Sequence, residues 1–167
     1  KSKKIAEYAK ILRNHGMSTF RNYWHDFAGF NYRMTNIQAA IGVAQLDRID
    51  SLLLKRKKIF KNYDKLLKNF NRVKLLPSNN WSENSNWLYT ITLESNDIRN
   101  YATKYLKNSG IDARPSFYPL NLMPPYKKFS KSKCKNSQKI GLSSMSLPSS
   151  NVSFNEQKYI VDKLKKV

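Results

Sequence analysis

The sequence predicts an α/β chain in three parts: a helix and aromatic loop over residues 1–35, a long linking helix over 36–70, and a small α+β lobe over 71–167. Three observations carry that expectation. Ile37, Ala40, Ile41, Ala44, Leu46, Ile49, Leu52 and Leu53 keep helical spacing for longer than an ordinary globular helix. Trp87-Leu88-Tyr89-Thr90-Ile91-Thr92-Leu93 alternates and is made of strand-forming residues. Pro77, Gly110, Pro115 and Pro148 punctuate the remainder into short strands and helices.

In chain order, Ile5, Tyr8, Ala9 and Leu12 predict a helix over 4–13 that stops at Asn14-His15-Gly16, where glycine suits a helix end. Met17 to Met34 carries six aromatics and few helix formers. A long aromatic loop is a candidate binding segment, although Phe20, Tyr23, Phe27 and Phe30 would also serve as cover for a core. Residues 36–69 read as one helix, or two with a bend, with Ile59, Phe60, Tyr63, Leu66 and Leu67 inward after Lys55. Val73–Leu76 is a short strand before Pro77, and a polar loop over 78–86 leads to the strand over 87–93. Asn96 or Asp97 caps a helix through Asn108 that Gly110 ends, and Ile111–Arg114 is the next strand. Four prolines between Pro115 and Tyr126 exclude a regular helix or a central strand and leave a shaped loop placing Phe117, Tyr118 and Tyr126. A lysine-rich loop over 127–139 precedes a strand over 143–147, and Asn155 opens a last helix over 156–166.

At 167 residues, with 40% hydrophobic and 13% aromatic content, the chain is one ordinary domain or part of a larger one. No apolar run approaches the ~20 residues that span a membrane, and Lys-Ser-Lys-Lys-Ile-Ala-Glu lacks the apolar segment of a signal peptide. Cys134 is alone, so a reduced, cytoplasmic setting is expected. The net charge of +20 allows two readings, nucleic-acid binding and a solvated lysine face. The cations are mostly Lys along helices, and no base-reading motif is present, so neither a nucleic acid nor a membrane is expected as partner. Two histidines, no glycine-rich phosphate loop, no nucleophile elbow and no metal-ligand spacing give no metal site and no His-cluster catalyst.

The run from Gly29 to Leu46 joins a polar, aromatic prelude to a helix of small residues opened by Thr35 or Asn36. Ala39, Ala40, Gly42 and Ala44 permit close approach of another backbone, so Asn31 and Arg33 would be presented at an interface. His25, beside Asp26, is either a base oriented by a carboxylate or a structural hydrogen-bonding residue.

The segment Asn31-Tyr32-Arg33-Met34-Thr35-Asn36-Ile37-Gln38-Ala39-Ala40-Ile41-Gly42, with Gln45-Leu46-Asp47-Arg48-Ile49-Asp50 after it, resembles the DegT/DnrJ/EryC1/StrS family of pyridoxal 5'-phosphate (PLP)-dependent aminotransferases acting on nucleotide-linked keto sugars. Further motifs follow in the family's order. Leu12-Arg13-Asn14-His15-Gly16-Met17 resembles the end of its large domain, and Leu147-Pro148-Ser149-Ser150 its late strand and turn. Trp24-His25-Asp26, Gly110-Ile111-Asp112-Ala113-Arg114-Pro115, Phe117-Tyr118-Pro119-Leu120 and Leu122-Met123-Pro124-Pro125-Tyr126 are similar to its perosamine-forming branch.

The resemblance implies the C-terminal part of an α/β PLP-dependent transferase of fold type I. Residues 1–35 would be the tail of the large domain with an active-site loop, 36–70 the linking helix, and 71–167 a small α+β domain with a short antiparallel sheet. Family members are about twice as long, and their cofactor-linking lysine is expected upstream of Lys1. No residue here is therefore given a catalytic role, and the fragment alone is expected to be inactive. The implied cofactor is PLP. The implied partners are a second copy sharing its active sites, a nucleotide-sugar substrate and an amino-acid donor, glutamate, in surface-polysaccharide or O-antigen synthesis. Asn31 would reach the cofactor phosphate held by the neighbouring subunit, with Arg33 beside it. Trp24, His25 and Tyr32 would line the sugar-nucleotide cleft, and Arg114 and Tyr118 its small-domain wall. Relatives often carry His after Tyr-Pro-Leu where this chain has Asn121, so no proton-transfer role falls there. The competing readings are a basic nucleic-acid-binding module and a non-catalytic pairing module.

Overall fold

The computed structural model describes residues 2–77, 79–130 and 134–167. Ser78, in the loop expected over 78–86, and Lys131 to Lys133, in the loop expected over 127–139, lie outside the described residues. The chain divides into two compact units, Lys1–Ile49 and Asp50–Val167.

The first unit holds α1 (Lys3–Arg13) and α2 (Asn36–Leu46) with the aromatic loop between them. Ser2 caps α1 by accepting from the Ile5 N–H. Thr35 caps α2 in a reciprocal box: its hydroxyl accepts from the Gln38 N–H, and Gln38 Oε1 accepts from the Thr35 N–H at 2.9 Å. Among the described residues of this unit Gly16 alone is buried, and backbone hydrogen bonds tie the loop to the end of α1. Ile37, Ile41, Val43 and Leu46 of α2 stand exposed.

The second unit contains α3 (Ile49–Leu67) from its second residue onward. The helix expected over 36–69 is therefore two, interrupted at Asp47 and Arg48. Then follow β1 (Val73–Leu75), β2 (Tyr89–Leu93), α4 (Asn96–Asn108), β3 (Arg114–Pro115), a 3-10 turn at Leu120–Leu122, α5 (Pro124–Lys127), α6 (Lys135–Ser143), β4 (Ser144–Leu147) and α7 (Phe154–Leu164). The strands form one antiparallel sheet in the order β1-β2-β4-β3, with Ile91 opposite Leu75 on one side and Met145 on the other.

Alternation along β2 buries Tyr89, Ile91 and Leu93, while Thr90 and Thr92 share hydroxyl hydrogen bonds with Ser146 (3.0 Å) and Ser144 (2.8 Å) of β4. The buried strand residues join Ile59, Phe60, Tyr63 and Leu67 of α3, Ala102 and Leu106 of α4, and Ile160, Val161 and Leu164 of α7 in one cluster. Polar groups inside it are paired. Tyr63 Oη donates to Pro148 O at 2.8 Å, Tyr89 Oη to Asp64 Oδ1 at 2.7 Å, and Gln157 Nε2 to Ile59 O at 2.8 Å.

The strand expected over 87–93 begins two residues late. Arg56 Nη1 takes the Trp87 carbonyl at 2.8 Å, the group a longer ladder would use. The strand expected over 111–114 is instead a turn: Ile111 N–H returns to Leu106 O and Ala113 N–H to Ile111 O, and only Arg114 and Pro115 pair with β4. The proline-rich span does admit a short helix, because Pro124 and Pro125 open α5, where their missing N–H groups have no intrahelical partner to lose. The lysine-rich loop expected over 127–139 gives way to α6 from Lys135.

Candidate functional site

The first unit is organised around a left-handed corner. His15 (φ 63°) and Gly16 (φ 69°) turn the chain away from α1. Residues 30–32 then lie extended beside the helix end: Phe30 N–H donates to Leu12 O at 2.7 Å, Tyr32 N–H to Arg13 O at 3.0 Å, and His15 N–H to Phe30 O at 3.0 Å. This lets two glycine backbones cross almost in contact. A Cβ on Gly29 would lie 2.1 Å from Gly16 N, and one on Gly16 would lie 2.0 Å from Phe27 O. Only glycine at both places permits the crossing.

On this frame Phe30 and Tyr32 stack, ring centroids 5.1 Å apart and planes 11° apart. Alternation of extended backbone directs Asn31 to the opposite side, and its backbone bridges Asn14. Arg33 Nη1 donates to Asn14 Oδ1 at 3.1 Å. The Asn31 amide is exposed, with no protein partner for its side chain among the described residues. No carboxylate occurs from Gly29 to Asn36. An amide NH2 and a guanidinium, uncompensated by any acid on their own segment, suit a phosphate or other oxyanion. A cleft of about 530 Å³ beside the Arg33–Asn14 pair is lined by Lys10 and Arg13 as well, with Glu7 as its one acid.

The aromatic loop closes on itself above the corner. Met17 bridges His25, Ser18 N–H donates to Trp24 O at 2.8 Å, and Asp26 N–H donates to Gly16 O at 3.2 Å. Trp24 Nε1 donates to Asp26 Oδ1 at 3.0 Å, Arg21 lies 4.6 Å over the indole ring, and His25 Nδ1 lies 2.9 Å from His15 O. Trp24, His25, Asn31, Tyr32 and Arg33 thus belong to one unit and one folded loop.

Arg114 and Tyr118 belong to the other unit. Arg114 pairs with Asp112 (Nε–Oδ2 3.1 Å), and this hydrogen bond, helped by the guanidinium charge, holds the Asp112 carboxyl below the usual range. Tyr118 is exposed, next to Phe117, which stacks on Trp87 at 6.2 Å. Gly141 lets α6 lie close under this loop, since a Cβ there would meet Pro119 Cδ at 2.8 Å. Sequence reasoning missed Asn14, Gly29 and Asp112, which hold the candidate residues without carrying their chemistry. Two glycines bounding an aromatic loop were the available signal. Among the described residues no group of His, Cys, Asp or Glu could hold a metal ion.

A putative sugar aminotransferase of Streptococcus pneumoniae, in its PLP form, has the same fold with a TM-score of 0.80 at 28% identity, over 99% of this chain and 44% of that one. The profile of the DegT/DnrJ/EryC1/StrS aminotransferase family matches residues 1–165, and the chain belongs to that family. The GDP-perosamine synthase of Caulobacter vibrioides is 38% identical over 147 residues, covering 86% of this chain and 40% of that protein. That of Vibrio cholerae is 38% identical over 117 residues, 69% of this chain and 32% of that protein. The chain thus spans two fifths or less of the length of these relatives. PLP ends in a phosphate monoester, and the free amide of Asn31 with the guanidinium of Arg33 fits that group.

Proposed function

We propose that these residues form the C-terminal portion of a PLP-dependent aminotransferase that aminates a nucleotide-linked 4-keto-6-deoxy sugar, as a GDP-perosamine synthase does. The carrying observation is the exposed, uncommitted amide of Asn31 on a frame fixed by three backbone hydrogen bonds. In this reading 1–35 is the tail of the large domain, 36–70 links, and 71–167 is the small domain. Two copies share their sites, and Asn31 of one donates to the phosphate of PLP held by the other, with Arg33 adding charge. Bound PLP supplies the electron sink through which an amino group passes from glutamate to the keto sugar. Trp24 and Tyr32 offer aromatic faces to the sugar nucleotide, and Arg114 and Tyr118 offer donors from the small domain. The cofactor-linking lysine is supplied by residues other than these. The net charge of +20 draws anionic substrates toward the molecule. The setting is the cytoplasm, in surface-polysaccharide or O-antigen synthesis. Among the described residues no helix is long and apolar enough to cross a membrane.

The test is amino transfer by the full natural polypeptide. With PLP, glutamate and a GDP-linked 4-keto-6-deoxyhexose, 2-oxoglutarate and an amino sugar nucleotide should appear together. No transfer to GDP-, UDP- or dTDP-linked keto sugars would refute the reading. DNA retention at physiological salt with a steep salt slope would favour a nucleic-acid-binding module instead.

A further inference from the structure

We propose that His25 is a positioning residue. Its imidazole, locked as the Nδ1–H tautomer on the carbonyl of His15, sets the loop that carries Trp24 and thereby governs affinity for the sugar nucleotide. The inference rests on the reading of the site given above.

The corner at His15 and Gly16 throws four backbone polar groups out of the helix end. Three find backbone partners: His15 N–H donates to Phe30 O (3.0 Å), Gly16 N–H to Ile11 O (3.0 Å), and Gly16 O accepts from Asp26 N–H (3.2 Å). The fourth, the His15 carbonyl, is met by a side chain, His25 Nδ1 at 2.9 Å. A carbonyl has no hydrogen to give, so Nδ1 carries a proton. The ring thus does for the aromatic loop what a backbone N–H does elsewhere at this corner.

The loop and the phosphate-seeking segment are fastened by different bonds. The indole itself is held by Asp26 Oδ1 and by Arg21 over its ring, and the loop that carries it is tied to the corner by the Met17–His25 bridge, Asp26 N–H to Gly16 O, and the imidazole. Asn31 depends on Leu12, Arg13 and Phe30, whose bonds do not involve His25. Releasing the ring therefore removes one of the ties between this loop and the corner, so that the loop and its indole shift together, and leaves the bonds that carry Asn31 in place. Asparagine carries Nδ2 at the same number of bonds from Cα as Nδ1 of histidine, so it keeps the donor. Glutamine moves the donor one atom further out.

The experiment uses the full natural polypeptide as holoenzyme, with a GDP-linked 4-keto-6-deoxyhexose and glutamate. His25→Ala should raise KM for the sugar nucleotide about tenfold, the effect of losing ~1.4 kcal/mol, with kcat and PLP affinity within about twofold. His25→Asn should restore KM and His25→Gln should not. An equal rise in the Ala and Asn variants would put Nε2 on the substrate and overturn the proposal, as would a lower kcat at unchanged KM. Imidazole 15N shifts of the histidine-labelled wild-type enzyme give a reading independent of turnover: a proton on Nδ1 supports the lock, and a bare Nδ1 with the proton on Nε2 overturns it. An enzyme that aminates no nucleotide sugar yet shows Nδ1–H would refute the proposed function and leave the lock standing.

Discussion

Gly29→Ala puts the crossing of two backbones to a direct test. The added methyl would stand 2.1 Å from Gly16 N, 2.4 Å from His15 C and 2.8 Å from Gly16 Cα, all main-chain atoms with no flexible end to swing aside. Ordinary contact begins near 3.4 Å, so the segments must part by about 1.3 Å. The bonds spanning the crossing start at 2.7–3.0 Å, and that movement takes them past hydrogen-bonding range. Two or three such bonds at about 1 kcal/mol each give a loss of ~2–3 kcal/mol. That corresponds to roughly a 30- to 150-fold smaller population of the docked segment. If Asn31 meets the cofactor phosphate, PLP affinity of the full polypeptide should fall by that factor in a titration of the apo form. The core of the second unit contains no residue of this crossing, so its unfolding should not shift. PLP affinity within about twofold of wild type would show that Asn31 is not delivered by this frame.

Asn31→Ala should weaken PLP retention by roughly tenfold or more, as loss of a charge-assisted hydrogen bond does; unchanged retention removes Asn31 from the site. Leu164→Ala, in a fully buried position of α7, should cost about 2–5 kcal/mol in denaturant unfolding. Ser153→Ala removes the Ser153–Glu156 capping box at the start of α7 and should cost about 1 kcal/mol. Burial raises the Tyr63 and Tyr89 hydroxyls well above the ordinary tyrosine value, Tyr89 further through its bond to Asp64. The unfolded chain therefore releases these protons first, and their contribution, complete below pH ~10, is lost as pH rises beyond it. Unfolding midpoints at pH 9 to 11 should fall less steeply for the Tyr63→Phe, Tyr89→Phe double variant than for wild type.

The helices and strand at the middle of the fold were legible because their signals are local. Ile59, Phe60, Tyr63 and Leu67 repeat at helical spacing, and Tyr89 to Leu93 alternates. The misplaced boundaries have non-local causes. Arg56, thirty-one residues before Trp87, claims the carbonyl that would have lengthened β2. The expected strand at Ile111 failed because the turn closing α4 uses its N–H, although Ile111 and Ala113 are buried as a strand would bury them. α6 buries only Ser143, so its sequence shows no apolar stripe and reads as loop. At the site, Asn31 and Arg33 were visible in the motif, but Asn14 is tied to Arg33 across nineteen residues and no spacing rule reveals it.

The sheet also determines how this molecule behaves among copies of itself. Its outer strands are β1, three residues long and followed by Pro77, and β3, two residues long and containing Pro115. A proline in β3 has no N–H to offer another strand, and neither edge is long enough to template one. A surface bearing exposed Phe117, Phe129 and Trp87 would invite edge-to-edge polymerisation if such a ladder could begin. β1 is closed by its length and β3 by its length and its imino acid, so neither edge of this sheet offers a ladder on which another strand could start.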